Sequence, residues 1–585
     1  MTPLKKFKRA FWTTEQGTLM VLGVVVGVLG GYGAVGFRWL IDFLRTLSYG
    51  SDANLLEVVA GLPWWYLLLV PAAGGLVVGP IIYFFAREAK GHGVPEVMEA
   101  VSLQGGFIRK RVVIVKSLVS AASIAVGGSV GREGPIVQIG SAIGSTVGQV
   151  VKVSAGRMRI LVGCGAAAGI AATFNAPVAG MMFAMEIVLG DFAVATFSPI
   201  VLSAVMATAI SRFYLGDFPA FVVPAYQLVS AWELILYAGL GLAAGAVGAV
   251  FTATLYKLED WVDAVRIPEY LKTPLAGLGL GAMGLAFPWV LGVGYEGIEV
   301  ALNHQMVWWL MLVVMAVKIL ATSLTIAGGM SGGIFAPSLV IGAMLGGAFG
   351  GLAHELAPGY TAGAGAYAIV GMAGVVAGAT HGPITAFLIL FEMTGGYQII
   401  LPLMIGCTVA TLVAQRINPE SIYTLKLIRR GVDIHAGKDM NLLRSLNVAQ
   451  AMRSEVDSVP QSMTLGQFHN MVLGSKFASF PVVDDKGRLT GIISHADYTD
   501  HHVEKDLWDL VVVAELATSK VETVTPRDTL DAALRKISAR DFATLPVVAG
   551  PNDPHLVGIL SHRDIISVYT TTQRKSSLKD GQAED

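Results

Sequence analysis

Two ionisable residues, Arg132 and Glu133, lie in a glycine-rich stretch that interrupts a long apolar region. The stretch covers residues 127–140 and reads GGSVGREGPIVQIG. A helix exposed to lipid would not tolerate it, because irregular backbone at membrane depth persists only where protein buries it or water lines it. An ionisable residue inside a membrane segment marks a functional site by default.

The end of this stretch predicts an anion site with a built-in competitor. The glycines end at Gly134, and Pro135, which favours the first helical turn, starts a new apolar run. We therefore expect residues 132–135 to open a helix whose free N–H groups face a polar cavity and attract anions. Glu133 is itself an anion, so we interpret it as a gate that fills the site when charged and leaves it when protonated.

The elements that must position this site are membrane helices. Of the 585 residues 54% are hydrophobic and only 14% are charged, with a mean hydropathy of +0.62, whereas soluble domains carry about 25% charged residues. Long apolar runs accompany this composition, which predicts a polytopic helical protein whose partner is the lipid bilayer. A net charge of −1 gives no indication of nucleic-acid binding.

The remaining composition argues against an enzyme and against a metal site. The two cysteines, Cys164 and Cys407, lie in separate apolar segments, which excludes a disulfide framework and a cysteine metal site. We find no nucleophile elbow, metal-ligand cluster or phosphate loop in the sequence.

Charge at the two ends of the apolar region predicts its orientation. Residues 1–14 are basic, and Lys426, Arg429 and Arg430 follow the last apolar run. Basic flanks stay on the cytoplasmic side. We expect a multi-pass domain at residues 15–430 in the cell membrane, with both termini in the cytoplasm.

The membrane region contains an internal repeat, with halves at about residues 15–215 and 230–430. A shift of 202 positions aligns identical residues: Val115/Val317, Lys116/Lys318, Ile124/Ile326, Gly127/Gly329, Gly131/Gly333, Pro135/Pro337, Gly140/Gly342, Gly144/Gly346 and Gly148/Gly350. A shift of 206 aligns Gly165/Gly371, Pro177/Pro383 and Glu186/Glu392. Repeats with glycine- or proline-interrupted helices place a binding site between the halves. The openings at 131–135 and 333–337 should face one centre.

After a linker at 431–445 the composition changes to charged residues and apolar runs of strand length. This part also repeats, because GIISHAD at 491–497 matches GILSHRD at 558–564. Each unit, 446–505 and 506–572, should combine short helices and strands. The polar tail 573–585 should be disordered.

These motifs together resemble those of the CLC family of chloride channels and anion/proton exchangers. The matching residues are 131–135 (GREGP), 333–337 (GIFAP), 91–95 (GHGVP), 174–177 (FNAP), 392–394 (EMT) and Tyr423. The resemblance covers residues 15–430, and residues 446–572 resemble a pair of CBS domains.

The resemblance implies a homodimer with one pore per subunit. Its fold would be an all-α inverted repeat of tilted, broken helices with a cytoplasmic α/β CBS pair. The implied ligands of a central chloride or similar small anion are the N–H groups of Ile334 and Phe335, the Tyr423 hydroxyl and His92. An outer site would use the N–H groups of Glu133, Gly134, Phe335 and Ala336. Such dipoles hold an anion weakly enough to release it.

His92 departs from the family pattern, because a serine is usual there. An imidazole can donate a hydrogen bond as a hydroxyl does, but it can also become charged. A charged His92 would bind anions more tightly and oppose protonation of Glu133. A neutral His92 would only replace the hydroxyl, so both interpretations and the preferred anion stay open.

Ile187 is the second departure. Exchangers of this family carry a glutamate at that position as an inner proton relay. Its absence predicts channel-like, uncoupled flux, with proton-coupled antiport as the alternative. Glu186 could substitute as the relay, although capping or pairing suits it better. Lys116 and Lys318 should pair with acids or carbonyls rather than bind the transported ion.

The CBS motifs suggest a regulatory ligand. Asp497 and Asp564 could bind the ribose of an adenine nucleotide, with Ser494 and Ser561 at the adjoining helix openings. Simple N-capping is the alternative. Transport itself requires no cofactor.

A CBS-regulated divalent-cation channel or transporter is a further alternative. Hard cations need clustered carboxylates or carbonyls. The membrane half offers isolated acids and helix openings instead, which suit anions.

Overall fold

The computed structural model divides the chain into two compact units, Met1–Ile434 and His435–Asp585. It describes residues 15–51, 55–85, 91–217, 221, 228–303, 305–432, 443, 446–475, 479–494, 507–519, 521–540, 544–569 and 571. The N-terminal segment 1–14, most of the linker 431–445 and the tail 573–585 lie outside these residues, as does Asp497.

The first unit is built of helices, and this confirms the predicted all-α membrane fold. Among the described residues, eight helices are long and apolar enough to cross a membrane. The helices are α1 (Glu15–Tyr49), α2 (Leu55–Ala60), α3 (Trp64–Phe85), α4 (Val94–Leu103), α5 (Arg111–Ala125), α6 (Glu133–Val151), α7 (Ala155–Phe174), α8 (Pro177–Phe183), α9 (Val194–Leu215), α10 (Glu233–Ala264), α11 (Glu269–Ala286), α12 (Tyr295–Leu302), α13 (Trp308–Ala327), α14 (Phe335–Leu356), α15 (Ala364–Thr380), α16 (Pro383–Thr394), α17 (Ile400–Ile417) and α18 (Thr424–Arg429). A π-helical turn, Ala184–Leu189, continues α8.

The internal repeat appears as corresponding helices, with α4 to α9 in the first half and α12 to α17 in the second. Two pairs of hydroxyls join the halves: Ser120 lies 2.9 Å from Ser331, and Ser129 lies 3.1 Å from Thr322. A shift of 202 positions converts one pair into the other. The halves are therefore related by a pseudo-two-fold axis that passes between these contacts.

Glycines at repeated positions let the helices touch through their backbones. A Cβ atom on Gly140 of α6 would overlap the carbonyl of Gly165 in α7, and one on Gly342 of α14 would overlap the carbonyl of Gly371 in α15. Both crossings lie about two turns after the first residue of α6 or α14. Small residues at helix contacts allow this approach in membranes.

Glu186 and Glu392 cap helices in opposite halves of the repeat. The Glu186 carboxylate accepts hydrogen bonds from the N–H of Ile384 (3.1 Å) and from the N–H (2.7 Å) and hydroxyl (2.6 Å) of Thr385 at the start of α16. Glu392, on α16, accepts from the N–H groups of Val178 (3.1 Å) and Ala179 (2.7 Å) at the start of α8. Helices α8 and α16 both begin with a proline, and the first N–H groups of a helix have no partner within it. Each glutamate accepts hydrogen bonds from such N–H groups in the other half of the repeat.

The second unit is the predicted α/β region. Its strands are β1 (Val459–Pro460), β2 (Ser479–Val483), β3 (Leu489–Ser494), β4 (Thr544–Gly550) and β5 (Asp553–Ser561), and its helices include α19 (Leu465–Gly474), α20 (Val513–Leu516) and α21 (Leu530–Arg540). In one sheet β1 runs parallel to β2, which pairs antiparallel with β3. Strands β4 and β5 form a second, antiparallel pair.

The two hydrophobic cores of this unit exchange short segments. Val448, near the start of the unit, packs into the core formed around Leu545 and Leu560. Val513, from the beginning of the second repeat, packs into the core around Phe480 and Ile493. Each CBS core therefore includes residues from the other repeat.

Candidate functional site

The openings of α6 and α14 meet at one point. The N–H of Gly131 donates to the carbonyl of Gly333 at 2.7 Å, and the N–H of Gly333 donates to the carbonyl of Gly131 at 2.6 Å. These two residues form an antiparallel bridge, and each lies two residues before its helix begins. The positive ends of two helix dipoles consequently converge from the two repeats.

A third helix opening joins them from α4. Gly93 precedes this helix with a φ of 89°, and a Cβ atom on Gly134 would overlap the carbonyl of His92. The His92 ring is buried, and its centroid lies 5.7 Å from that of Tyr423. Neither ring nitrogen has a hydrogen-bond partner within the described residues.

The structure therefore gathers the residues predicted to bind the anion. His92, Gly134 and Tyr423 are neighbours, and Gly333 connects them to the segment 334–336 at the start of α14. Ile334, Phe335 and Ala336 are all buried.

The Glu133 carboxylate folds back over the opening of its own helix. It is buried, and its Oε1 accepts a hydrogen bond from the Tyr295 hydroxyl at 3.1 Å. Its Oε2 lies close to Gly131, and a Cβ atom on Gly333 would be 3.3 Å from it. This oxygen makes no hydrogen bond within the described part of the chain. A carboxylate thus stands where converging N–H groups would hold an anion.

A cavity of about 500 Å³ opens beside Tyr295 and Arg132. Its charged lining residues are Arg38, Asp42, Arg45, Arg132, Glu296 and Glu299. The Arg132 guanidinium carbon lies 5.6 Å from the centroid of the Tyr295 ring. Tyr295, whose hydroxyl donates to the Glu133 carboxylate, therefore lines this cavity.

Charged groups also surround His92. Glu96, on α4, accepts hydrogen bonds from Lys426 at 3.2 Å and Arg430 at 3.3 Å. Lys116 donates to the carbonyl of Gly91 at 2.9 Å, as expected for a structural lysine. These cations outnumber the one carboxylate, so a further positive charge on His92 would be repelled.

The inner relay position carries no titratable group. The Ile187 side chain is buried, and a Cβ atom on Gly382 would be 3.0 Å from it. Glu186 is the adjacent carboxylate, and both its oxygens accept hydrogen bonds at the start of α16. Glu186 therefore caps the start of α16.

Sequence analysis missed Tyr295 and the ion pairs of Glu96. A signal for Tyr295 existed, because Gly292-Val-Gly294 before α12 repeats Gly91-His-Gly93 before α4 at a shift of 201. Neither 202 nor 206, the shifts found in the sequence, brings these glycines into register. The ion pairs of Glu96 depend on contacts more than 300 residues apart and leave no local pattern.

In the CBS region, Asp564 is engaged within the protein. Its carboxylate accepts from the N–H (3.0 Å) and hydroxyl (2.5 Å) of Ser561 and from the Nε of Arg453 (2.8 Å). Ser494 ends β3. Ser561 is the N-cap of the following helix, because its hydroxyl accepts from the Asp564 N–H at 3.2 Å. Asp564 completes a capping box with it and also pairs with Arg453, so a ribose would have to share or displace these partners.

Comparison with known proteins gives matches over both the membrane region and the CBS region. The model of the family described as "Voltage gated chloride channel" matches residues 74–415, and the CBS domain model matches residues 448–503 and 513–570. The chain is 36% identical to the putative chloride channel protein ClcB-like of Ralstonia nicotianae over 419 residues, which are 71% of this chain and 98% of that protein. It is 32% identical to the H⁺/Cl⁻ exchange transporter ClcA of Salmonella arizonae over 418 residues, which are 70% of this chain and 88% of that protein.

Two further similarities extend the comparison. Chloride channel protein CLC-f of Arabidopsis thaliana is 29% identical over 655 residues, covering 97% of this chain and 82% of that protein. The crystal structure of a slow cyanobacterial Cl⁻/H⁺ antiporter superposes with a TM-score of 0.65 at 29% identity, covering 70% of this chain and 97% of that structure. With the paired helix openings and the glutamate between them, these matches show that the chain belongs to the voltage-gated chloride channel (CLC) family and carries two CBS domains.

Proposed function

We propose that this protein lets chloride or a similar small anion pass down its gradient, and that protonation of Glu133 opens the path. The observation that supports the proposal is the Glu133 carboxylate lying over the joined openings of α6 and α14. A charged carboxylate competes with an anion for the same N–H groups. Once protonated it loses most of its attraction to the helix dipoles and can leave.

The proposed ligands follow from the same geometry. The N–H groups of Ile334 and Phe335, the Tyr423 hydroxyl and His92 would hold a central anion. The N–H groups of Glu133, Gly134, Phe335 and Ala336 would hold an outer one, in the place the carboxylate now fills. Donors of this kind select against divalent cations, which need oxygen ligands.

We further propose that flux is channel-like. Ile187 cannot carry a proton, and Glu186 is committed to the start of α16. Protons therefore lack an inner carboxylate from which to reach Glu133.

Proton-coupled antiport is the second candidate. It is favoured by the similarity to the ClcA exchanger and to the cyanobacterial antiporter structure. His92 adds a specific reason, since it is a buried titratable ring next to the proposed central site. Antiport through His92 would require the ring to accept a proton against the repulsion of the surrounding cations and to release it again.

The assembly proposed here is a homodimer in the cell membrane, with both termini and the CBS domains in the cytoplasm. The CBS pair would regulate transport by binding an adenine nucleotide.

Reconstitution into liposomes tests the transport proposal. A chloride gradient is imposed, and chloride efflux and external pH are recorded together for wild type and for Glu133→Gln. We expect wild-type efflux to rise as pH falls, efflux in Glu133→Gln to be independent of pH, and neither protein to move protons uphill. Uphill proton movement driven by chloride in the wild type would establish antiport instead.

A histidine control completes this test. If Glu133→Gln keeps a steep pH response, the gate assignment is wrong unless His92 is the sensor. The double variant Glu133→Gln with His92→Ser separates these cases, because it removes both titratable groups. A pH response that survives in the double variant would exclude both residues.

A further inference from the structure

The segment before α12 is the repeat counterpart of the segment before α4. Gly91 and Gly93 have φ values of 86° and 89°, and Gly292 and Gly294 have φ values of 59° and 87°. Such values favour glycine. The equivalence places Tyr295 at the first residue of α12, where α4 has Val94.

Two repeated lysines support this equivalence. Lys116 donates to the carbonyl of Gly91 at 2.9 Å, and Lys318 donates to the carbonyl of Gly292 at 3.1 Å. Each lysine thus fixes the turn that leads into one of the two short helices. Lys318 also donates to Val290 at 3.0 Å.

The inverted repeat gives these equivalent openings opposite positions along the anion path. Helices related by a pseudo-two-fold axis in the membrane plane approach a central site from opposite sides. The opening of α4 brings His92 beside Tyr423. The opening of α12 correspondingly brings Tyr295 to the Glu133 side, where Tyr295 lines the cavity of about 500 Å³.

The Tyr295 ring is held so that its hydroxyl reaches the gate. The Phe221 ring packs edge-on against it, with centroids 5.3 Å apart and an interplanar angle of 83°. The Arg132 guanidinium lies over it at 5.6 Å from the centroid. The hydroxyl donates to Glu133 Oε1 at 3.1 Å. Aromatic and cation–π contacts of this kind favour one ring orientation.

We propose that Tyr295 is the outer latch of the anion path, a positioning residue whose hydroxyl holds the Glu133 carboxylate closed and then donates to the small anion that replaces it. This inference rests on the proposed gate at Glu133. A hydroxyl donor stabilises the charged carboxylate more than the protonated one. An entering anion is likewise an acceptor, so the same donor can serve both in turn.

The sign of the effect on pH dependence follows. With the hydroxyl removed, the charged and closed carboxylate loses a stabilising bond, so protonation and opening should occur at higher pH. A hydrogen bond to a charged group is worth enough to move the midpoint by about one pH unit.

The test compares the pH dependence of chloride efflux from liposomes for wild type, Tyr295→Phe and Tyr360→Phe. Tyr360 is an exposed tyrosine of the same unit and serves as the matched control. We expect the midpoint to rise by about one unit in Tyr295→Phe only, with several-fold faster efflux than wild type at alkaline pH. In the Glu133→Gln background, Tyr295→Phe should leave the pH profile flat.

An unchanged midpoint in Tyr295→Phe, or an equal shift in Tyr360→Phe, would overturn the latch while leaving the gate intact. A Glu133→Gln protein that retains the wild-type pH profile would overturn the gate and the latch together. If Tyr295→Phe is poorly folded, Phe221→Leu provides a second variant, because loosening the ring should move the midpoint in the same direction by less. No shift in Phe221→Leu would then count against the latch.

Discussion

The amides and carbonyls of Gly131 and Gly333 hydrogen-bond to each other in both directions, at 2.7 and 2.6 Å. These residues occupy equivalent positions in the two repeats, so the pair lies on the pseudo-two-fold axis. The bridge fixes the starts of α6 and α14 relative to each other. The geometry of the proposed anion site therefore depends on this backbone bridge between Gly131 and Gly333, which are 202 positions apart in sequence.

Gly333→Ala should damage this contact. A Cβ atom there would lie 2.7 Å from the nitrogen of Gly134 and 3.2 Å from the carbonyl oxygen of Gly131. Backbone atoms cannot move aside, so the openings must separate, with a loss of stability of about 1–3 kcal/mol. We expect most of the chloride efflux to be lost and the melting temperature in detergent to fall.

Gly36→Ala is the control for this substitution. Gly36 lies within α1, and nothing lies within 4 Å of a Cβ atom placed on it. Its flux and melting temperature should match the wild type. Normal efflux from Gly333→Ala would show that the bridge does not determine the geometry of the site.

The sequence was sufficient to predict both of these openings, because glycine and proline spacing repeats locally around Gly131 and Gly333. It also predicted the fold class, since composition and apolar run length restrict a chain this hydrophobic to membrane helices. Tyr295 was not found, because its role depends on a side chain that reaches Glu133 across 162 positions. The sequence showed that Glu186 and Glu392 occupy equivalent positions in the two repeats. It did not show which helix each glutamate caps.

Ile187→Glu should introduce proton coupling. It places a carboxylate at the position where exchangers of the family carry one, beside the start of α16 at Gly382. We expect a chloride gradient to drive uphill proton movement in this variant and not in the wild type, measured as external pH in the liposome assay. The buried position makes the variant less stable than the wild type.

Ile187→Gln controls for shape and polarity without a titratable group. It should transport chloride as the Glu variant does but move no protons. Coupling in neither variant would mean that a relay at residue 187 is not sufficient in this chain, and coupling in both would exclude a carboxylate mechanism.

Glu186→Gln should destabilise the membrane unit without altering proton movement. The carboxylate accepts three hydrogen bonds at the start of α16, and hydrogen bonds to a charged group are each worth about 1.5–3 kcal/mol. An amide can accept them only with its single oxygen. We expect a lower melting temperature in detergent, and a similar fall for Glu392→Gln.

Glu57→Gln, at an exposed carboxylate of the same unit, should change the melting temperature little. Glu186 and Glu392 both act at the contact between α8 and α16. The change in melting temperature of the double variant should therefore differ from the sum of the two single changes. A Glu186→Gln protein of normal stability with altered proton movement would instead identify Glu186 as a relay.

Arg453→Met should strengthen binding of an adenine nucleotide to the full-length protein. Arg453 pairs with the Asp564 carboxylate through its Nε at 2.8 Å and through a terminal nitrogen at 2.6 Å. A ribose hydroxyl must therefore compete with Arg453 for this carboxylate. The arginine is about half exposed, and an exposed pair is worth about 0.2–1 kcal/mol. Its loss should therefore raise the affinity for ATP by up to about fivefold in isothermal titration calorimetry.

Arg488→Met is the matched control, because Arg488 is equally exposed and pairs with Asp484 at 2.7 Å. It should leave the affinity for ATP unchanged. Asp564→Ala should abolish binding, and it should also cost about 1 kcal/mol of stability because Ser561 loses its capping-box partner. If Asp564→Ala binds ATP as the wild type does, the carboxylate serves only the capping box with Ser561.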